Sequence, residues 1–226
     1  MPEAMRVSFT GIDGAGKSTT AQLVARMLAN KGKKVGFLPS IGLTPYIIEN
    51  RQEEHLFCEA SNKIASLYKE GQEEHNVLKI FASSILFVAM QGRVWEPNLI
   101  KNYHPDIILQ DRDRLVDSII MFLMYGMKGL PISLMTSVVE AVAGKNTTDD
   151  LFLLTPDPMT AWNRIKDGKT DGHESLDKLE IMASQYPFII NALISMGRIT
   201  KYISIDTKEH DAGETANIVY NEIVDH

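Results

Sequence analysis

The chain has 226 residues, a formal net charge of −6, 44% hydrophobic and 23% charged residues. That length and balance suit a soluble α/β enzyme folded as a single domain over 1–226. An acidic chain lacks the extended basic face that polyphosphate strands reward, which excludes nucleic acid as the expected partner.

In chain order, Arg6–Thr10 opens the pattern as a short apolar run of the kind buried on both faces of a parallel sheet. No signal-peptide pattern precedes it. It runs directly into Gly11-Ile12-Asp13-Gly14-Ala15-Gly16-Lys17-Ser18, a full G-x-x-x-x-G-K-[ST] match, and then into a helical pattern over Ser18–Asn30. Strand, loop and helix in that order are the setting this motif needs. The glycines Gly11, Gly14 and Gly16, with Ala15, let backbone N–H groups curl round phosphate oxygens. The helix N-terminus adds positive potential at the same place, near Thr19. Lys17 is expected to reach the β- and γ-phosphates of ATP, and the Ser18 hydroxyl to ligate Mg²⁺.

Lys34–Leu38 is the second strand, Ile47–Tyr68 the second helix, and Asn76–Asn102 a long third helix. Cys58, the one cysteine, excludes an intramolecular disulfide and reads as a small buried apolar residue. Apolar runs such as Ser84–Met90 are too short to span a bilayer, so the expectation is a cytoplasmic protein with no membrane partner. The third strand, Asp106–Gln110, runs into Asp111-Arg112-Asp113-Arg114. At a strand's carboxyl end, where open α/β sheets bind ligands, two arginines can clamp a phosphate and Asp111 can hold Mg²⁺. Helices follow over Leu115–Met127 and Pro131–Ala143, then a strand at Leu151–Leu154 and a helix at Pro158–Lys166. The polar, glycine-hinged Lys166–Glu174 reads as a short lid at about 166–175, with Lys169 inside it. A helix at Ser175–Met196, a strand at Tyr202–Asp206 and a helix at Ala212–Val224 complete the chain.

Strands alternating with helices predict a three-layer α/β P-loop NTPase fold with a five-stranded parallel sheet flanked by helices. No N-K-x-D sequence is present to read guanine, and the chain is too short for the extra domains of a motor. Size, lid and strand-end arginines favour a small-molecule kinase. The six histidines lack metal-ligand spacing, and Trp95 and Trp162 read as packing residues.

The sequence resembles the thymidylate kinases, of the nucleoside monophosphate kinase group. Phe9–Thr20 is close to that family's F-E-G-x-D-G-A-G-K-[ST]-T, and Asp113–Ser118 is similar to its D-R-Y-V-D-S. Leu86-Phe87 before Arg93 is similar to L-F-x-x-x-R, and Arg164 stands at the lid-proximal arginine. The resemblance implies a homodimer that transfers phosphate from ATP to dTMP with Mg²⁺. Asp13 would contact the acceptor sugar and the Mg²⁺ shell, and Arg114, or Arg112 beside it, the acceptor phosphate. Phe87 would stack on the base, with Gln91 or Arg93 at its edge, and Phe122 or Tyr125 would lie where an aromatic excludes a 2′-hydroxyl. Arg164, Lys166 and Lys169 would close over the transferring group. The chain departs from the family after its second strand, where Phe37–Thr44 holds no arginine, and at Leu115, where the family has tyrosine. Two other readings remain at this stage: a deoxynucleoside kinase, which needs a carboxylate base near the end of the second strand, and a non-catalytic nucleotide-binding switch or partner protein.

Overall fold

The computed structural model describes residues 3–41, 43–56, 59–125, 129–166 and 175–225. Cys58, Met127, and the expected lid over 167–174 with Lys169 lie outside them. The strands are β1 (Met5–Thr10), β2 (Val35–Leu38), β3 (Tyr46–Glu49), β4 (Gln52–His55), β5 (Ile107–Gln110), β6 (Thr148–Leu154) and β7 (Ile199–Ile205). Among the described residues they form one sheet in the order β4-β3-β2-β5-β1-β6-β7. The helices are α1 (Lys17–Asn30), α2 (Glu59–Glu73), α3 (Val77–Met90), α4 (Glu96–Tyr103), α5 (Arg114–Met124), α6 (Ile132–Ala143), α7 (Pro158–Lys166), α8 (Leu176–Ser195) and α9 (Ala212–Val224).

The five strands β2, β5, β1, β6 and β7 run parallel, at the places the apolar runs predict. Alternate side chains of each strand face opposite layers. On β5, Ile107 and Leu109 join the larger core with Phe9, Val24, Leu28 and Phe152, while Ile108 joins Leu38, Ile64, Phe87 and Leu99 on the other face. Continuous hydrophobicity in the sequence is therefore the mark of a strand covered on both sides.

Two expectations need correction. The helix predicted over Ile47–Tyr68 begins only at Glu59, and its first part is the β3–β4 hairpin, antiparallel to β2. Tyr46-Ile47-Ile48 is a buried apolar run that pairs with Val35–Phe37. Asn50 (φ 51°) and Arg51 (φ 67°) both take the left-handed conformation of a type I′ turn. The charges of β4 line an exposed sheet edge, where charge blocks pairing with another chain. The sheet thus has seven strands where the sequence predicts five.

The long third helix is continuous in space but interrupted by a π-helical turn at Gln91–Trp95, between α3 and α4. The helical path Val77–Tyr103 is long and apolar enough to cross a membrane, by length and composition, although each apolar run within it is short. Here it packs on α2, α5 and α6.

Candidate active site

The P-loop is built by close packing as much as by glycine's freedom. Gly11 (φ 139°) passes so near β6 that a Cβ there meets the Leu154 carbonyl oxygen at 2.4 Å. Gly14 (φ 83°) lies against α7, where a Cβ meets the Ala161 carbonyl oxygen at 2.5 Å. A side chain at either position is excluded twice, by conformation and by space. Gly16 (φ 88°) then precedes the first turn of α1.

A cavity of about 260 Å³ opens over this loop, lined by Asp13, Gly14, Gly16, Lys17, Ser18, Thr19, Arg112 and Ile165. Lys17, on the first turn of α1, is 5% exposed, and its Nζ donates to the carbonyls of Gly11 and Ile12 at 2.8 Å each. Asp13 lies 3.5 Å from it. Burial, and then the charge of Arg112, push the Lys17 ammonium below its ordinary pKa. Such a cation gains most when phosphate oxygens arrive to compensate it.

Beside Lys17, the Ser18 hydroxyl donates to Asp111 Oδ2 at 2.8 Å, and the backbone N–H of Ser40 reaches the same oxygen at 3.3 Å. Asp111 is fully buried, and its Oδ1 has no hydrogen-bond partner among the described residues. A buried carboxylate oxygen without a donor, next to a hydroxyl, fits a hard divalent cation that keeps most of its remaining ligands as water and phosphate. Among the described residues no cluster of three or more His, Cys, Asp or Glu side chains could hold a metal by protein groups alone.

The doubled Asp-Arg divides its two arginines between different jobs. Asp113 accepts from the backbone N–H groups of Leu115 and Val116 at 3.0 Å each and so caps α5. That cap turns successive residues to opposite sides. Arg112 stays at the cavity, paired with Asp13 and 3.6 Å from Asp117. Burial opposes its charge, but Asp13 and Asp117 outweigh that and hold its proton well above the usual range. Arg114 points away into the protein, where it is 3% exposed, paired with Glu96 and donating to Asn146 Oδ1 at 2.6 Å.

The remaining candidates divide similarly. Arg164 donates to the carbonyls of Gly14 at 3.1 Å and Thr207 at 3.0 Å, bridging the P-loop to the segment after β7. Gln91 is buried and its Nε2 donates to the Pro39 carbonyl at 2.8 Å, fixing the segment after β2. Arg93 donates to the carbonyls of Ala141 and Val142, capping the end of α6. Phe87 packs edge-on against Trp95 at 5.3 Å in the smaller core. Phe122 is fully buried and packs against Phe81, the rings tilted with centroids 5.3 Å apart. The structure thus brings together Gly11–Thr19, Asp111 and Arg112, with Arg164 on the loop's outer side, and it does not bring Arg93, Arg114 or Phe122 into the cavity.

Two further side chains reach this site to which the sequence gives no role. Asp117 accepts from Thr10 Oγ1 at 2.9 Å, and the hydroxyl of the buried Tyr186 sits 2.9 Å from the Gly11 carbonyl and 3.3 Å from Asp117. Asp117 falls within the V-D-S motif, which was the available signal. Tyr186 sits mid-helix and carried none.

No protein-family model matches the chain. Among curated proteins, it is 32% identical over 180 residues to the thymidylate kinase of Chlorobaculum tepidum, covering 78% of this chain and 75% of that one. The chain belongs to the thymidylate kinase family. The thymidylate kinases of Chlorobaculum parvum and Chlorobium luteolum are each 29% identical, over 78% of this chain. Among solved structures, deoxyadenosine kinase from M. mycoides with bound dCTP superposes with a TM-score of 0.61 at 17% identity, over 98% of this chain and 100% of that one. That likeness shows the P-loop kinase fold. As a member of the thymidylate kinase family, the chain is a phosphotransferase.

Proposed function

We propose that this protein transfers the γ-phosphoryl group of ATP to dTMP, giving dTDP and ADP, with Mg²⁺ held at Ser18 and Asp111. The observation that carries this reading is one cavity that gathers Lys17, Arg112 and Ser18 over the P-loop, with Asp111 bonded to Ser18 behind it. The loop's N–H groups and Lys17 bind the β- and γ-phosphates, and Arg112 forks onto the acceptor phosphate. The acceptor oxygen is already anionic near neutral pH, so the chain needs to position it, not to deprotonate it. Mg²⁺, which Ser18 and Asp111 would hold, would supply charge neutralisation to the phosphates when bound. Arg164, pinned to Gly14 and Thr207, is poised at the nucleotide side to meet developing charge.

The carboxylate base that a nucleoside acceptor requires after the second strand is absent from the sequence over 39–48. Glu49, the first acid after β2, ends β3, and the antiparallel register Val35↔Ile48 puts it near the start of β2, paired with Lys34 at 2.8 Å. The amino ends of the parallel strands lie opposite the phosphate loop. This favours a monophosphate acceptor over a nucleoside. A second copy of the chain is the proposed partner: α3 and α6 pack together and expose Leu78, Leu86, Leu134 and Val138. The cytoplasm, where ATP is abundant, is the proposed location.

An ADP-release assay across ribo- and deoxynucleoside monophosphates, with the free nucleosides alongside, tests the acceptor. Turnover highest with dTMP is the expected result. Preference for a free nucleoside would instead establish the hydroxyl-phosphorylating reading.

A further inference from the structure

We propose that Asp117 and Tyr186 act as one positioning unit for Arg112 and for the first residue of the P-loop. The proposal rests on the reading that Arg112 holds the acceptor phosphate. Arg112 leaves β5 at a strand end and is about one-third exposed, so its direction is set by its counter-charges and not by packing. Asp13 draws it toward the P-loop, and Asp117, one turn into α5, faces its other terminal nitrogen at 3.6 Å. A guanidinium held between two carboxylates keeps its remaining N–H groups aimed into the cavity, where a phosphate can take them as a fork.

Asp117 is itself fixed from three elements. Thr10 of β1 donates to its Oδ2 at 2.9 Å, Tyr186 of α8 approaches its Oδ1 at 3.3 Å, and Arg112 faces the same oxygen. The Tyr186 hydroxyl has one hydrogen and, beside the Thr10 hydroxyl, two acceptors within reach, Asp117 Oδ1 and the Gly11 carbonyl. While Asp117 is ionised the two share it. Once Asp117 is protonated the carboxyl can donate to the phenol oxygen, the hydroxyl turns wholly to Gly11, and Arg112 loses one of its two counter-charges. Lys17, Asp13, Asp111 and Asp113 are the other charged groups bearing on this cluster. Burial pushes the Asp117 carboxyl up to about 6, against the pull of Arg112 and Lys17. The ionised, positioning form therefore exists above that value and is lost as pH falls through it.

The test is steady-state kinetics of Asp117→Asn and Tyr186→Phe with ATP and dTMP from pH 5 to 8, with Arg112→Ala beside them. The acceptor monophosphate loses its own second proton near pH ~6. In the wild type, log(kcat/KM) for dTMP should thus climb on the acid side with a slope approaching about two. Asp117→Asn should raise the dTMP KM about tenfold at pH 7.5, leave the ATP KM within about twofold, and reduce that slope to about one. Tyr186→Phe, which keeps the buried ring, should raise the dTMP KM about threefold. If Arg112→Ala raises the dTMP KM while both other variants leave it and the slope unchanged, the positioning unit is wrong and the Arg112 reading stands. If Arg112→Ala leaves the dTMP KM unchanged, both fall.

Discussion

Each of the two arginines that follow β5 answers to a different physical rule, and mutation separates them. Arg114 is buried against Glu96 and Asn146, so truncation opens space in the interior and removes one of the two arginines that neutralise Glu96, the other being Arg6 at 2.7 Å. Arg114→Ala should therefore lower the urea midpoint strongly. Arg112→Ala removes a partly exposed side chain, and Asp117, left without that counter-charge, can take up a proton, so the midpoint should fall less than for Arg114→Ala while turnover is impaired; the reverse pattern would show that the strand-end register has been misassigned. Lys17→Ala should lower kcat by at least about 10³, since the ammonium is the one lysine within the loop. Wild-type turnover by that variant would overturn the nucleotide assignment. Arg112 and Arg114 are adjacent in type and spacing, and what sorts them is a cap: Asp113 ends the strand path and starts α5. The sequence shows both arginines but not which way the chain turns between them.

Among the secondary-structure elements, the P-loop strand and helix were legible because a short apolar run, a glycine motif and an amphipathic pattern all agree. The β3–β4 hairpin was not, because Asn50-Arg51 lacks the glycine that ordinarily marks such a turn. Arg51 holds a left-handed conformation without glycine's freedom. Arg51→Gly should accordingly stabilise the protein by about 0.5–1 kcal/mol, read as a raised urea midpoint, with kinetics unchanged because the turn lies at the amino end of the parallel strands. A destabilised variant would mean that the arginine side chain makes contacts outweighing the backbone strain. The π turn at Gln91–Trp95 is illegible for another reason: nothing in local sequence distinguishes it from α-helix, and it is fixed by Gln91 bonding Pro39 and Arg93 bonding the end of α6.

For the molecule as a whole, the exposed apolar residues of α3 and α6 are the surface proposed for a second copy, and assembly can be tested without touching the chemistry. Leu86→Glu with Val138→Glu should convert a dimer to a monomer in sedimentation velocity, each residue being about half exposed in the single chain. A wild-type chain that sediments as a monomer at micromolar concentration would remove the proposed partner.

The sequence alone determined the parallel five-strand core and the phosphate loop, because both are written in contiguous residues: apolar runs of strand length, and a motif whose glycines and lysine act through their own backbone and neighbours. Tertiary structure decided what depends on distant segments meeting. It set Arg112 rather than Arg114 at the cavity, turned Arg93 onto the end of α6, buried Phe122 in the core, and brought Tyr186 from α8 onto Gly11 across 175 positions of chain. Side-chain direction is the reason: it is fixed by caps, register and the space left by neighbours, and none of these is a local property of the residue that is turned.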